Sequence, residues 1–452
     1  MRRERDAPGP VLASGPCPAT SAGLRRGLAA VVASRHMNAR ITIAGTVLLL
    51  ALAAGGSSDR PLSAAPTPAF DPALVARGAE LSAIGNCATC HTSREGRPFA
   101  GGLPLATPFG TIYSTNITPD PDTGIGRWTG SDFLRAMREG VDRAGHDLYP
   151  AFPYDHFTRV TDEDVAAIYA FIATREPVRA EVPANRLKFP AGLRSAIGLW
   201  KALYFRPGAY KPDASKSAHW NRGAYLVDGL AHCGACHTPR NALGAENRQQ
   251  ELAGGEVEDW HASSLTATSP APVRWTADQL YDYLRHGREE QHGLAAGPMA
   301  PVTHNLAGVA DEDVRAIATY VASLMPVSGS TAARRTGAER VASTDGAQIF
   351  AGACASCHET LPAMPSTQPV PLGLTTSVNA PDPRNAIHVV LEGIWPESGE
   401  KGALMPSFAA ELTDKQVAAL VDYLRAHFTD QPAWRDVPER VAAIRKTVEE
   451  QR

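Results

Sequence analysis

Cysteine is scarce, with seven in 452 residues. That is too few, and the wrong parity, for a disulfide scaffold of this length. Aromatic residues make up only 7%, which points to small cores in a loop-rich chain. Neither sign of charge dominates: 44 Lys and Arg against 47 Asp and Glu leave a net −3. The electrostatic footprint of nucleic-acid binding is therefore missing. Gly and Pro are plentiful at 39 and 36, but without the three-residue period of collagen. Long apolar runs are missing too. The one candidate, 41–54 (Ile-Thr-Ile-Ala-Gly-Thr-Val-Leu-Leu-Leu-Ala-Leu-Ala-Ala), is short for a membrane span and suits the core of a signal peptide. Met37-Asn-Ala-Arg40 supplies its basic flank, and Ala51-Leu-Ala53 or Ser63-Ala-Ala65 its cleavage site. On this reading Met37 is the start, and 1–36, with Cys17, is not normally made; a retained N-terminal anchor is the alternative. Without 1–58 the chain loses seven arginines and two acids and falls to net −8.

What is there is more specific. Six of the seven cysteines fall in three copies of one pattern: Cys87-Ala-Thr-Cys90-His91, Cys233-Gly-Ala-Cys236-His237 and Cys354-Ala-Ser-Cys357-His358. Chance would supply about 0.003 such matches in a chain of this composition. Two cysteines one helical turn apart can each form a thioether to a haem vinyl group, and the next residue turns its imidazole to the iron. A zinc site would need paired motifs within one domain. A thioredoxin-like motif would need a βαβ setting. Neither is present, so the pattern predicts three covalently bound haem c groups. Attachment of such haems outside the cytoplasm agrees with a signal peptide.

The surroundings repeat as well. Ala76-Arg-Gly-Ala-Glu-Leu81, Asn221-Arg-Gly-Ala-Tyr-Leu226 and Asp345-Gly-Ala-Gln-Ile-Phe350 each lead into a motif. Each unit closes with an apolar stripe at i, i+3, i+4, i+7: Val165, Ile168, Tyr169, Ile172; Val314, Ile317, Ala318, Val321; Val417, Leu420, Val421, Leu424. One buried helix face follows from each. Thr161 and Thr413 are expected helix N-caps, and Thr413 with Gln416 matches a capping box. Trp128-Thr129 and Gly140 correspond to Trp275-Thr276 and Gly287 at an offset of 147. The expected fold is all-α, as three tandem class I cytochrome c domains at 70–178, 216–326 and 344–430. A leader at 1–65, a Pro-rich segment at 179–215, a linker at 327–343 and a tail at 431–452 make up the rest.

A haem that only transfers electrons needs a sixth ligand, and Met is the usual one. Met299, in Gly-Pro-Met299-Ala-Pro, lies 62 residues after His237, and Met405, in Leu-Met405-Pro-Ser-Phe, lies 47 after His358. Both are read as axial ligands in a loop before the closing helix, beside the proximal His91, His237 and His358. The first unit breaks the pattern: offset 147 from Met299 falls on Phe152, which cannot ligate iron. Its sixth ligand stays open between His156, His146, Met137 and none, with His156 taken first. Leu193-Arg-Ser-Ala-Ile-Gly-Leu-Trp-Lys-Ala-Leu-Tyr-Phe205 reads as a linker helix packed between domains, or as an interfacial or docking helix. The tail from Val437 reads as a solvated helix.

The motif order, with Tyr113-Ser-Thr-Asn-Ile-Thr-Pro-Asp120, Thr123-Gly-Ile-Gly-Arg-Trp128, Leu148-Tyr-Pro150 and Cys236-His-Thr-Pro-Arg-Asn-Ala-Leu-Gly244, resembles the three-haem cytochrome c subunits of bacterial membrane-associated dehydrogenases. The resemblance spans about 70–430. It implies electron transfer rather than catalysis by this chain alone, from a catalytic dehydrogenase subunit in the periplasm to ubiquinone or a terminal oxidase. Peripheral association with the outer face of the cytoplasmic membrane comes with it. In members that serve alcohol dehydrogenases a Met stands where this chain has Phe152. The departure is closer to subunits that accompany molybdenum hydroxylases of the nicotinate or isoquinoline type. No acid–base or nucleophile constellation appears. A peroxidase-like haem enzyme with an open first haem, and a free electron shuttle, are the rival readings.

Overall fold

In a computed structural model the described residues are 70–325, 343–359, 371–396 and 405–450. Met37, Cys17, the apolar run 41–54 and nearly all of the linker 327–343 lie outside them. Just under half of the described residues are helical and only a few short strands accompany them, so the regular structure is chiefly α, in line with that part of the expectation.

One helix crossing occurs three times. In the first module α1 (Pro72–Ile84) and α2 (Cys87–His91) are followed by the hairpin β1 (Pro104–Thr107) and β2 (Gly110–Tyr113), then α3 (Gly130–Glu139), α4 (Tyr154–Phe157) and α5 (Asp162–Ala173). Helix α1 crosses α5 so closely that a Cβ on Gly78 would lie 1.9 Å from the Ala167 carbonyl oxygen. After β3 (Arg186–Leu187), which pairs with β2, and α6 (Arg194–Tyr204), the second module repeats the plan. It has α7 (Ala218–Tyr225), α8 (Gly234–His237), the hairpin β4 (Gly255–Val257) and β5 (Trp260–Ala262), α9 (Ala277–His286), a small ladder of β6 (Arg288–Glu289) and β7 (Gly293–Leu294), α10 (Met299–Leu306) and α11 (Asp311–Leu324). Gly223 would meet the Ala316 carbonyl at 2.0 Å. In the third, α12 (Thr344–Ala353) and α13 (Ala355–His358) precede α14 (Thr376–Asn379), α15 (Arg384–Glu392), α16 (Asp414–Phe428) and α17 (Val437–Glu450). Gly346 would meet the Ala419 carbonyl at 2.1 Å. Glycine is required at these three positions by backbone approach, at the helix-propensity cost that glycine carries elsewhere.

Local signals set the helix ends. Thr161 caps α5 by accepting from the Asp164 amide. Thr129, Thr276 and Thr413 each form a reciprocal capping box, with Asp132, Gln279 and Gln416. Gly140 and Gly287 close α3 and α9 at φ of 62° and 68°, a conformation natural to glycine.

The first two modules bury one continuous core, and the third has its own. A network around a pseudo-twofold ties the first pair. Arg77 of α1 reaches Asp313 of α11 at 3.2 Å and Asp164 of α5 at 3.8 Å, while Arg222 of α7 reaches the same two acids at 2.7 and 3.6 Å. The tail differs from expectation. Helix α17 is not a solvated appendage: Val437, Val441, Ile444 and Val448, on one face, are buried in the third core.

Candidate haem and electron-transfer site

Each Cys-x-x-Cys-His motif forms a short helical turn after the glycine-bearing helix, with Cys233 and Cys354 as N-caps and, in the second module, a π-helical turn (Leu226–Leu230) between the two. All six cysteines are unbridged. Burial, and behind it the neighbouring Glu258, pushes the Cys90 thiol up to about 11, and burial carries Cys236 to about 11 as well. These are neutral thiols, not the activated thiolates of redox or nucleophilic sites.

The histidines give the sharper fit. His91 donates from Nδ1 to the Thr115 carbonyl at 2.6 Å, and His237 donates from Nδ1 to the Ser263 carbonyl at 2.6 Å. The main-chain oxygen of each is also held, by the amides of Gly101 (2.7 Å) and Gly254 (2.8 Å). A carbonyl can only accept, so Nδ1 carries the proton and Nε2 keeps its lone pair for a metal. Desolvation lowers the pKa of both rings, so they are neutral at pH 7. That is the state an iron ligand needs. His358 is also lowered by burial, and its Nδ1 is buried with no partner among the described residues. The side chains therefore fit covalent haem c, whose iron supplies the one-electron chemistry when bound.

Sequence reasoning missed the carbonyls that fix these rings. Thr115 lies inside the Tyr113–Asp120 segment singled out above, but a backbone acceptor leaves no side-chain signal. The Asn116 side chain builds that loop: Oδ1 accepts from the Thr118 amide (2.9 Å), and Nδ2 donates to the Val178 carbonyl (2.7 Å).

The first two motifs lie against each other's modules. Asn86, left-handed at φ 50°, precedes Cys87; His232, left-handed at φ 39°, precedes Cys233. His232 Nε2 lies 3.3 Å from the Gly85 carbonyl, and Asn305 of α10 donates to Asn86 (2.8 Å) and Thr89 (3.0 Å).

The distal positions divide. Met299 is the first residue of α10 rather than part of a free loop, and Met405 sits in a bridge with Ile394. Leu148 and Ala295 each donate to the carbonyl of the preceding cap glycine, Gly140 or Gly287, at 2.8 Å. The offset of 147 therefore holds in three dimensions, and Phe152 is the counterpart of Met299. Phe152 packs on Phe157 with ring centroids 5.2 Å apart. Met137 is buried in the core, and His146 is exposed and bonded to Asp142 at 3.1 Å.

His156 has a different role from the one expected. Its Nδ1 lies 3.0 Å from the Asp228 carbonyl and its Nε2 2.9 Å from a Glu246 carboxylate oxygen. With acceptors at both nitrogens the ring is an imidazolium. Burial opposes that charge, but Glu246 and Asp155 outweigh it and raise the pKa. An imidazolium has no lone pair for iron. Moreover, the ring presses on the second motif: a Cβ on Gly234 would lie 2.8 Å from His156 Cε1. His156 is thus a joint between modules. Asp155, His156 and Glu246 come within 4.8 Å of one another, but Arg240 lies 3.6 Å from Glu246. The cluster reads as an ion-pair network.

The third module docks on the β4–β5 hairpin. His388 stacks on Trp260 (4.6 Å, 17°) and lies 3.1 Å from the Asp259 carbonyl, with Glu392 on its other nitrogen. Arg384 reaches Glu256 at 3.1 Å, and Asn385 bonds the His261 amide and carbonyl at 2.8 Å each. Trp260 in turn lies against Gly297, where a Cβ would fall 2.3 Å from the indole.

With this geometry in view, comparison with known proteins is decisive. A family model described as cytochrome c matches residues 75–176, and one described as cytochrome C oxidase, cbb3-type, subunit III matches 341–424. The fructose dehydrogenase cytochrome subunit of Gluconobacter japonicus is 38% identical over 86% of this chain and 85% of its own length. The chain belongs to the dehydrogenase cytochrome c subunits. Another relative in this family, the gluconate 2-dehydrogenase cytochrome c subunit of Pantoea cypripedii, is 37% identical over 83% of this chain and 90% of that one. A nicotinate dehydrogenase subunit of Pseudomonas putida is 45% identical over 82% of this chain. The chain spans about a third of that relative, 32% of its length. Among the described residues of this family member no helix is long and apolar enough to cross a membrane.

Proposed function

We propose that this chain is a periplasmic tri-haem electron carrier that accepts electrons from a catalytic dehydrogenase subunit and delivers them to ubiquinone or a terminal oxidase. Each module holds one haem c: through Cys87, Cys90 and His91; Cys233, Cys236 and His237; and Cys354, Cys357 and His358. Met299 and Met405 complete the second and third irons. The observation that carries this reading is the matched pair of Nδ1–carbonyl bonds at 2.6 Å, His91 to Thr115 and His237 to Ser263, which leave Nε2 for iron. The protein's contribution is ligation, burial and spacing of redox centres rather than acid–base chemistry.

The partner we favour is a molybdenum hydroxylase of the nicotinate type. The 45% identity to the nicotinate dehydrogenase subunit of Pseudomonas putida supports this, as does Phe152 at the first distal position. Mixing the purified chain with its catalytic subunit and substrate should reduce all three haems; substrate-dependent reduction of none would reject the role. Phe152 also favours a five-coordinate first iron. Carbon monoxide should then bind one haem per reduced chain. Binding together with peroxide turnover would favour the haem-enzyme reading instead.

A further inference from the structure

We propose that Trp260 is a positioning residue for the second iron: backed by His388 of the third module, its indole holds the turn that carries Met299. Docking of the third module is then felt at the second iron. The inference rests on Met299 as that iron's ligand and concerns what keeps it in place.

The turn has little to hold itself. Met299 opens α10 with Pro298 before it and no side-chain cap. Its amide reaches the Ala296 carbonyl at 3.3 Å, a long bond, and the Gly297 carbonyl accepts from Ala300 at 3.0 Å. Gly297 itself is left-handed at φ 53°, a conformation that glycine adopts readily. Such a turn is easily displaced unless something packs on it.

Trp260 packs on it. The three atoms nearest a Cβ placed on Gly297 would all be indole carbons, at 2.3, 2.6 and 2.7 Å. The ring therefore rests on the glycine backbone, two residues from Met299. Trp260 opens β5, and its hairpin is fixed to the proximal side of the same site. The Gly254 amide, just before β4, donates to the His237 carbonyl at 2.8 Å, and the Ser263 carbonyl, just after β5, accepts from His237 Nδ1 at 2.6 Å. One hairpin thus reaches both the proximal histidine and the distal turn.

The indole is held in turn by the third module. His388 stacks on it at 4.6 Å and 17°, and is itself fixed by the Asp259 carbonyl and Glu392. Arg384 on Glu256 and Asn385 on His261 fasten the hairpin on either side of Trp260. The first module has neither part of this device. Three residues before the carbonyl that holds the proximal histidine stands Ile112 in the first hairpin and Trp260 in the second. Tryptophan occurs with Met299, and Ile112 with Phe152, where there is no methionine to position.

The test uses the full, haem-loaded chain and reads its methionine–iron absorption bands when oxidised and its carbon monoxide binding when reduced. Trp260→Ala should weaken the band that Met299→Leu removes. It should also speed carbon monoxide binding at that haem about tenfold, the equivalent of one lost aromatic contact. Trp260→Phe should restore both. His388→Ala should act in the same direction by less, with the Met405 band unchanged. A Trp260→Ala chain with the Met299 band and the binding rate unaltered overturns the proposal. So does loss of both methionine bands in that variant, which is general disruption, or an effect of His388→Ala confined to the third haem. If Met299→Leu itself leaves every band intact, the ligand reading fails first and this inference falls with it.

Discussion

The first and second modules are built on one plan and differ where the plan matters most. Both cross two helices at a glycine, cap α3 and α9 with a Thr box and a left-handed Gly, and fix a histidine through Nδ1 to a carbonyl at 2.6 Å. Yet the second carries Met299 where the first carries Phe152, and His156, close by, is held as an imidazolium against the other module. Scaffold and motif histidine thus stay constant while the residue at the distal position changes, which on the proposed haem assignment would set each iron's coordination.

The third module supplies the other contrast, since it keeps its own core while the first two share one. This contrast gives the largest expected effect. Gly223→Val should lower the melting of the first two modules together, by more than the ~1–3 kcal/mol of ordinary overpacking, because the clash is with backbone at 2.0 Å. Gly346→Val should affect only the third. Calorimetry with separate transitions checks this, and coupled loss of all three modules in either variant would break the comparison.

The distal ligands come next. Met299→Leu should abolish one of two methionine–iron absorption bands and raise carbon monoxide binding from one haem to two. Phe152→Met should reduce carbon monoxide binding and add a band. Unchanged spectra in both variants would remove the distinction drawn between the modules.

A smaller effect should appear at the third module's joint. Burial disfavours charge on His388, but Asp259 and Glu392 overcome it and raise its pKa to about 9. A raised pKa stabilises fully below the unfolded value near 6.5 and is lost as pH climbs through about 9. Docking of the third module should therefore weaken between these limits, by up to about 3 kcal/mol. In His388→Gln the third transition should lose that pH slope; a slope that survives would assign it elsewhere. Smallest of all, Thr276→Ala and Thr413→Ala should each cost about 1 kcal/mol of cap energy. They sit in separate cores, so the double variant should show the sum, by chemical denaturation.

Local features were legible in the sequence. The motifs, the closing helices and the caps at Thr161 and Thr413 depend on neighbours within four residues, so spacing alone reveals them. Features that depend on distant partners were not. Nothing near His156 announces Glu246, 90 residues away, and so a joint was read as a ligand. Thr115 and Ser263 act through main-chain oxygens that any residue would offer. The tail's Val437, Val441, Ile444 and Val448 lie on one face, but alternation with charge made that face look solvated. The outer face of α6 was read as an ambiguous apolar run because a helix that is apolar on two sides has no clear periodicity.

The central claim is one haem for each Cys-x-x-Cys-His motif. The haem-to-protein ratio of the purified chain, from the pyridine haemochrome spectrum against amino-acid analysis, tests it directly. The expected ratio is three haems per chain, falling to two in Cys354→Ala/Cys357→Ala; a ratio of two or fewer in the unaltered chain would contradict the claim.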